Sequence, residues 1–150
     1  MAISDGVRQL SGTTACVVQL RCASLPSVLG LIADHYWFVV LEETTGARHR
    51  WEVWQRRNAG GTSIGHVHCD LKDPDAGVGG GAARIEREWR GQDARRLRDV
   101  LTRAREYPHC HRYRYWPGPN SNTFAAWVLG AAGIEYRLGR RAIGWRYLRK

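Results

Sequence analysis

The sequence contains no apolar run of roughly 18 residues, the minimum for a helix that spans a membrane. Residues 1–6 lack the basic and then apolar layout of a secretion signal, so we expect a cytoplasmic protein. Gly79-Gly80-Gly81 lacks the Lys-Ser/Thr ending of a phosphate-binding loop, which argues against that kind of nucleotide site. The four cysteines are expected to stay reduced in the cytoplasm: Cys16, Cys22, Cys69 and Cys110.

Lysine is also scarce, because only Lys72 and Lys150 among the 23 basic residues are lysine. Arginine therefore carries most of the formal net charge of +9, and a basic chain can bind nucleic acid by releasing counterions from phosphate. Here the arginines are spread from Arg84 to the end rather than gathered into one tract, so we do not expect nucleic acid as a partner. The length fits a single domain over residues 1–150, in which residues 1–12 are predicted to be disordered.

The clearest local pattern is a hairpin that begins at His35. Residues 36–41 are rich in β-forming side chains, residues 42–47 form a turn, and residues 48–54 return. Alternation with a period of two puts His35, Trp37 and Val39 on one face of the hairpin. Because both faces are apolar, we expect both to be covered, with His35 at the open end.

The register of this hairpin determines which polar side chain can orient His35. A turn centred on Thr45-Gly46 sets His35 opposite Gln55 or Arg56, which makes Gln55 the nearest neutral candidate. Glu52 lies on the same face, but three to four residues further along. At roughly 3.3 Å per residue, that distance is too long unless the strand bends.

The remaining patterns predict further strands and two main helices. Strands are expected over residues 15–23, 63–71 and 82–89. An amphipathic helix is expected from about residue 91 until shortly before Pro108, and a second helix after residue 120. The predicted class is therefore α+β, with an antiparallel β-sheet packed against two main helices in a single domain.

The second helix follows a rigid stretch. Pro117 and Pro119 fix φ and remove amide donors, so the chain enters this helix in a non-helical conformation. Asn120 or Ser121 can then cap the helix by accepting hydrogen bonds from its first amides. The side chain of Ser121 would lie at the positive end of the helix, beside unpaired amides that suit a developing anion.

A serine hydroxyl is a poor nucleophile unless a base removes its proton, and histidine is the usual base. Ser121 and His35 are therefore a candidate nucleophile and base. A third polar group, Glu52 or Gln55, would hold the imidazole in the correct tautomer. Nothing in the sequence alone brings His35 and Ser121 together.

A second constellation combines His66-Val67-His68-Cys69 with His109-Cys110-His111. Two histidines two residues apart on a strand point to one face, and the second cluster would complete a tetrahedral zinc site. The spacing matches no standard zinc-binding pattern, so a solvated, histidine-rich loop is the favoured interpretation. We expect no metal ligands and no cofactor.

The segment Tyr113-Arg114-Tyr115-Trp116-Pro117-Gly118-Pro119-Asn120-Ser121-Asn122-Thr123-Phe124 resembles the signature of an uncharacterised bacterial family, domain of unknown function 3750. The resemblance extends back to His35-Tyr36-Trp37 and Arg50-Trp51-Glu52-Val53, and forward to Ala142-Ile143-Gly144. It therefore covers most of the chain from about residue 35 onward.

That family in turn resembles circularly permuted papain-like proteins, which include NlpC-like peptidases, the PPPDE group and the lecithin:retinol acyltransferase group. In these proteins a histidine at the start of a strand precedes a cysteine at a helix N-terminus, often within Asn-Cys-Asn-x-Phe. Asn120-Ser121-Asn122-Thr123-Phe124 is similar to that motif, with serine in the position of the cysteine, and His35 matches the histidine. The resemblance implies a permuted papain-like fold.

The resemblance also implies a hydrolase or acyltransferase that acts on a peptide, amide, isopeptide or ester. Ser121 would attack, and His35 would act as base. Binding and oxyanion contacts are assigned to a further set of residues: Asn120, Asn122, Trp37, Arg114 and Trp116. A serine hydroxyl titrates far higher than a thiol and gains less from a neighbouring histidine. The alternative is therefore a non-catalytic binding domain of the same fold for an anionic or peptide ligand.

Overall fold

The computed structural model describes residues 14–149, and the predicted disorder of residues 1–12 lies outside that range. One antiparallel sheet has the strand order β4-β5-β3-β2-β1-β6. Its strands are β1 (Cys16–Ser24), β2 (Asp34–Glu42), β3 (Arg48–Val53), β4 (Thr62–Ile64), β5 (Val67–Cys69) and β6 (Arg84–Trp89). The two main helices are α1 (Gly91–Thr102) and α2 (Ser121–Ala131), and short 3-10 turns span Ser27–Leu31, Ala104–Glu106 and Trp145–Arg149. The prediction of a single-domain α+β fold is confirmed.

One face of the sheet is covered by the two helices. From β2, the side chains of Tyr36, Phe38 and Val40 enter the main core. Helix α1 buries the apolar stripe that its amphipathic pattern predicts: Ala94, Leu97, Val100 and Leu101. Helix α2 contributes a second set: Phe124, Ala125, Val128 and Leu129. This packing fixes the N-terminus of α2 beside the beginning of β2.

The opposite face of the sheet is covered by a long loop, residues 70–83. Trp37 and Val39 form a small buried cluster on this side, against which Val78 and Ala83 pack. The indole nitrogen of Trp37 donates to the carbonyl of Pro74 at 3.2 Å. The expectation that the hairpin is covered on both faces, with His35, Trp37 and Val39 sharing one of them, is therefore confirmed.

The predicted hairpin register was wrong by two residues. Val39 pairs with Arg50, and the backbone hydrogen bond from the Glu42 N–H to the Ala47 carbonyl centres the turn one residue earlier than predicted. The physical reason is that Gly46, with φ of +72°, ends a longer turn instead of occupying its centre. Continued one residue beyond the last pair, Phe38 with Trp51, this register sets Glu52 beside Trp37, diagonal to His35 and on the same face.

The strand predicted over residues 63–71 is two short strands. Gly65 has φ of +61° and forms the turn that joins β4 to β5. Within residues 14–149, no helix is long and apolar enough to cross a membrane.

Candidate functional site

A cavity of about 270 Å³ opens where β2 and α2 begin. His35, the second residue of β2, and Ser121, the first residue of α2, both line it. These two residues are 86 positions apart in the sequence and come from different layers of the fold. The cavity therefore brings together the candidate nucleophile and the candidate base. No hydrogen bond joins them among the described residues.

Asn120 caps α2. Its Oδ1 accepts from the backbone N–H of Asn122 at 2.9 Å and of Thr123 at 3.3 Å. The Thr123 hydroxyl accepts from the Asn120 backbone N–H at 3.0 Å, which completes a capping box. The Asn120 Nδ2 group donates to the carbonyls of Tyr115 and Ile143. The polar groups of this side chain are thus occupied in holding the helix end.

The cap leaves Ser121 largely uncommitted. Its hydroxyl makes one long hydrogen bond, to Asn122 Oδ1 at 3.4 Å. Within the described part of the chain, its backbone N–H has no hydrogen-bond partner. That N–H lies at the positive end of the α2 dipole and is free to stabilise an anion in the cavity.

His35 is held by Glu52. The distance between His35 Nε2 and Glu52 Oε2 is 2.6 Å, and both side chains are buried. A carboxylate can only accept, so this bond puts the imidazole proton on Nε2. The Nδ1 atom then carries the free lone pair, and it has no hydrogen-bond partner among residues 14–149. Gln55, the other candidate, lines the cavity but does not bond to His35.

Arg50 forms a buried ion pair with Glu52. Its guanidinium donates to Glu52 Oε2 at 2.8 Å and lies 4.1 Å from the centre of the Trp37 ring. The same group donates to the carbonyls of Asp73 and Ala76 in the long loop. Sequence reasoning missed this residue. Its signal was the two-residue spacing of Arg50 and Glu52, which becomes informative only when the hairpin register is known.

Electrostatics keep Glu52 ionised. Burial raises its pKa, but the hydrogen bonds and the electrostatic attraction that His35 and Arg50 contribute outweigh that effect. The pKa of Glu52 therefore lies below its ordinary value. An ionised Glu52 can fix the tautomer of His35 and stabilise the imidazolium that forms after proton transfer.

Asn122 links α2 to the backbone around His35. Its Oδ1 accepts from the N–H of Tyr36 at 3.2 Å, and its Nδ2 donates to the carbonyl of Asp34 at 2.9 Å. These bonds bracket His35 on both sides. Since Asn122 directly follows Ser121, one side chain sets the position of the candidate base relative to the candidate nucleophile.

The other predicted binding residues lie away from the cavity lining. Trp37 is fully buried beneath Arg50, and Arg114 and Trp116 are exposed. The cavity walls are instead largely apolar and aromatic. Their main members are Leu25, Leu29, Val53, Trp54, Val78, Tyr113, Tyr115 and Ile143. Trp54 packs edge-on against His35, with 5.3 Å between ring centres.

Of the two histidine-rich segments, residues 66–69 do not form the solvated loop that was predicted, whereas His109 and His111 lie in a turn where His111 is exposed. His68 is fully buried, with its two ring nitrogens bonded to Ser63 Oγ at 2.7 Å and to the Arg56 carbonyl at 2.9 Å. His66 is also buried and contacts the Trp54 carbonyl. His68 lies in β5, an internal strand of the sheet, where a buried polar ring must find partners.

The described cysteines are all free thiols, and none of them lines the cavity. Burial raises the pKa of each thiol, that of Cys69 to about 12. A neutral, buried thiol is unreactive. The cavity therefore has no cysteine that would substitute for Ser121.

Residues 15–147 match the model of a family described as protein of unknown function (DUF3750). No curated protein and no solved structure matches the chain.

Proposed function

The chain belongs to the DUF3750 family, and we propose from its site that it is a serine-dependent hydrolase or acyltransferase acting on an amide, isopeptide or ester. The observation that carries the proposal is the buried His35–Glu52 pair, 2.6 Å apart, in the cavity that Ser121 also lines. Serine, histidine and a carboxylate are the parts of an activated nucleophile. A permuted papain-like arrangement, with the histidine strand before the nucleophile helix, is part of the proposal.

The proposed reaction gives each group a defined role. The Ser121 hydroxyl attacks the substrate carbonyl carbon while its proton passes to His35 Nδ1. The resulting oxyanion is stabilised by the free backbone N–H of Ser121 at the helix N-terminus. The imidazolium, stabilised by Glu52, then protonates the leaving nitrogen or oxygen as the bond to carbon breaks. Water or an acceptor nucleophile finally releases the acyl group from Ser121.

The proposal is supported by how the neighbouring amides are used. Asn120 caps α2, and Asn122 ties the helix to the backbone at Asp34 and Tyr36. Among the described residues, the hydroxyl and the N–H of Ser121 therefore make no hydrogen bond other than the 3.4 Å contact of the hydroxyl with Asn122. A serine kept for capping alone would have been committed to those amides.

A second candidate is the non-catalytic binding domain. Two observations favour it: the lack of a hydrogen bond between Ser121 and His35 among the described residues, and the largely apolar cavity wall. In that case the cavity would hold a peptide or anionic ligand, and binding would survive Ser121→Ala.

Covalent labelling by a fluorescent fluorophosphonate tests the proposal. We expect the wild-type protein to be labelled, Ser121→Ala to lose the label, and His35→Ala to react at least ~100-fold more slowly. Ser63→Ala is the matched control. Ser63 also contacts a histidine, His68 at 2.7 Å, but it lies outside the cavity lining.

Labelling should remain in Ser63→Ala, and circular dichroism should show that all variants are folded. Equal labelling of Ser121→Ala and the wild type would contradict the proposal. A wild-type protein that resists the probe, while a peptide ligand protects it against thermal unfolding, would favour the binding domain.

A further inference from the structure

The segment between β1 and β2 exposes an unusual group of aliphatic side chains. Val28 is 74% exposed and Leu31 is 77% exposed. Leu29 and Ile32 are exposed as well. We call residues 25–33 the aliphatic loop. Exposed apolar residues are usually scattered, whereas a contiguous patch marks a surface that contacts another apolar phase.

The fold holds this loop in place. The guanidinium of Arg141 donates to the carbonyls of Leu31, at 3.0 Å, and Gly30. The same group bonds to the buried carboxylate of Asp34 at 3.0 Å, where the loop joins β2. These bonds fix the backbone of the aliphatic loop to the C-terminal segment.

A groove rich in arginine lies along the same C-terminal segment. It has a volume of about 710 Å³ and contains three arginines and three aromatic residues, with no acidic residue in its lining. These six are Arg137, Arg140, Arg146, Trp116, Trp145 and Tyr147. Ile143 lines both this groove and the cavity, so the two are adjacent.

The groove has a positive charge with no paired carboxylate among the described residues. Across residues 14–149, none of its three arginines forms an ion pair with a carboxylate. Beside the aliphatic loop, Arg141 pairs with Asp34, and Arg84 pairs with both Asp34 and Glu86, so the excess charge of this face comes from the groove. The loop itself contains no acidic residue before Asp34. The whole face therefore combines aliphatic side chains with excess positive charge.

We propose that this face binds the surface of a membrane that contains anionic lipids. The aliphatic loop would enter the boundary between headgroups and acyl chains, and the groove arginines would contact anionic headgroups. Trp116, 69% exposed, has the amphipathic ring that favours this interface. Single-stranded nucleic acid would also suit arginines and aromatic rings, but it gives no role to the aliphatic loop.

Membrane binding would bring the cavity to the lipid surface. Leu25, Pro26 and Leu29 belong to the aliphatic loop and also form one wall of the cavity that Ser121 lines. The inference depends only on the composition and shape of this face. It therefore stands or falls separately from the chemistry proposed for Ser121.

Co-sedimentation of the full chain with lipid vesicles tests the proposal. We expect binding to vesicles of equal parts phosphatidylcholine and phosphatidylglycerol, and much weaker binding to phosphatidylcholine alone. Added salt should weaken binding by screening the arginines. A wild-type protein that does not sediment with the mixed vesicles would overturn the proposal.

Two sets of variants separate the contributions of loop and groove. Ile32→Asp should weaken vesicle binding by at least about tenfold, because it removes an inserted side chain and adds a negative charge. Ile85→Asp is the matched control, since Ile85 is 53% exposed but lies on β6, outside the loop. Replacing each groove arginine with glutamine should weaken binding roughly fivefold.

Vesicle binding is compared only among variants that circular dichroism shows to be folded. If Ile32→Asp is unfolded, Ile32→Ser replaces it. Equal losses in the Ile32 and Ile85 variants would contradict insertion of the loop. Arginine-dependent binding of a single-stranded oligonucleotide, without vesicle binding, would assign the groove to nucleic acid and overturn the proposal.

Discussion

Glu52 is the residue on which the candidate site depends most. Its Oε2 is shared by His35 and Arg50, whereas the buried Oε1 has no hydrogen-bond partner among the described residues. A buried charge is tolerated only when it is paired, and removing one partner leaves the others uncompensated. The same carboxylate therefore contributes to stability and fixes the tautomer of the candidate base.

We predict that Glu52→Gln lowers the free energy of unfolding by about 3 kcal/mol near pH 7, because Arg50 and His35 lose their common anion. The pKa of Glu52 in the folded state lies below its ordinary value of 4.5. Its stabilising effect is thus complete above that value and is lost as the pH falls through the folded-state pKa. The deficit of the variant should therefore shrink on acidification.

Urea unfolding at about pH 7 and about pH 3 measures this effect. Glu135→Gln is the control, because Glu135 is exposed and makes no ion pair within residues 14–149. It should change stability by less than about 0.5 kcal/mol at both pH values. A Glu52→Gln deficit that grows on acidification would contradict the assigned direction of the pKa.

At this scale, position in the chain made His35 and Ser121 candidates, because one begins a predicted strand and the other a predicted helix after a rigid stretch. It did not decide between Glu52 and Gln55. That choice depends on the hairpin turn, whose centre lies one residue earlier than the sequence predicted. The register therefore shifts by two residues, and the shift brings Glu52 instead of Gln55 close to His35. Arg50 stayed hidden for the same reason.

At the scale of elements, α2 is held by the segment that follows it. Asn120 and Asn122 both donate to the carbonyl of Ile143, at 3.0 Å in each case. Thr123 donates to the carbonyl of Gly144 at 2.8 Å. The N-terminus of α2 is thus hydrogen-bonded to two consecutive carbonyls that lie more than twenty residues after it in the chain.

Gly144 is the residue that permits this close approach. Its φ is +91°, and a Cβ at this position would lie 2.8 Å from Cγ and Oδ1 of Asn120. We predict that Gly144→Ala lowers the free energy of unfolding by about 2 kcal/mol or more, through backbone strain and displacement of the helix cap. Chemical denaturation measures the loss.

Gly130→Ala provides the matched control. Gly130 lies in α2, and a Cβ there would meet nothing within 4 Å. Alanine should be neutral or should stabilise the helix by up to about 1 kcal/mol. Equal stability of the two variants would contradict the close packing of Gly144 against the helix cap.

The elements themselves were largely predictable. Both helices have clear signals, an amphipathic stripe in α1 and a cap followed by an apolar run in α2. The strand at residues 63–71 was misjudged because Gly65, in a left-handed conformation, turns the chain where the apolar pattern continues. The contact between α2 and residues 143–144 has no local signature, since it depends on packing.

At the scale of the whole molecule, the site is assembled from the two ends of the described chain. Arg141 reaches Asp34, 107 residues earlier, and contacts Ser24 Oγ at 3.3 Å. It also holds the carbonyls of Gly30 and Leu31. One side chain thus joins the C-terminal segment to the end of β1, the aliphatic loop and the start of β2. No sequence pattern predicts a contact between such distant residues.

We predict that Arg141→Gln loosens the aliphatic loop without unfolding the sheet. Amide hydrogen exchange in residues 25–33 should become roughly tenfold faster, because local opening no longer breaks the bonds to Arg141. Exchange in β1 and β2 should change little, since their ladders do not include this side chain. Hydrogen-exchange mass spectrometry resolves the two regions.

Arg140→Gln is the natural control for Arg141→Gln. Arg140 is the preceding residue, is exposed, and makes no hydrogen bond or ion pair within the part of the chain that the structure describes. It removes the same charge and should leave exchange in the loop unchanged. If both variants accelerate exchange equally, the effect comes from net charge and not from the bonds of Arg141. If only Arg141→Gln does, the wall that the loop gives to the cavity is held by the C-terminal segment, and loss of that bond should also widen access to Ser121.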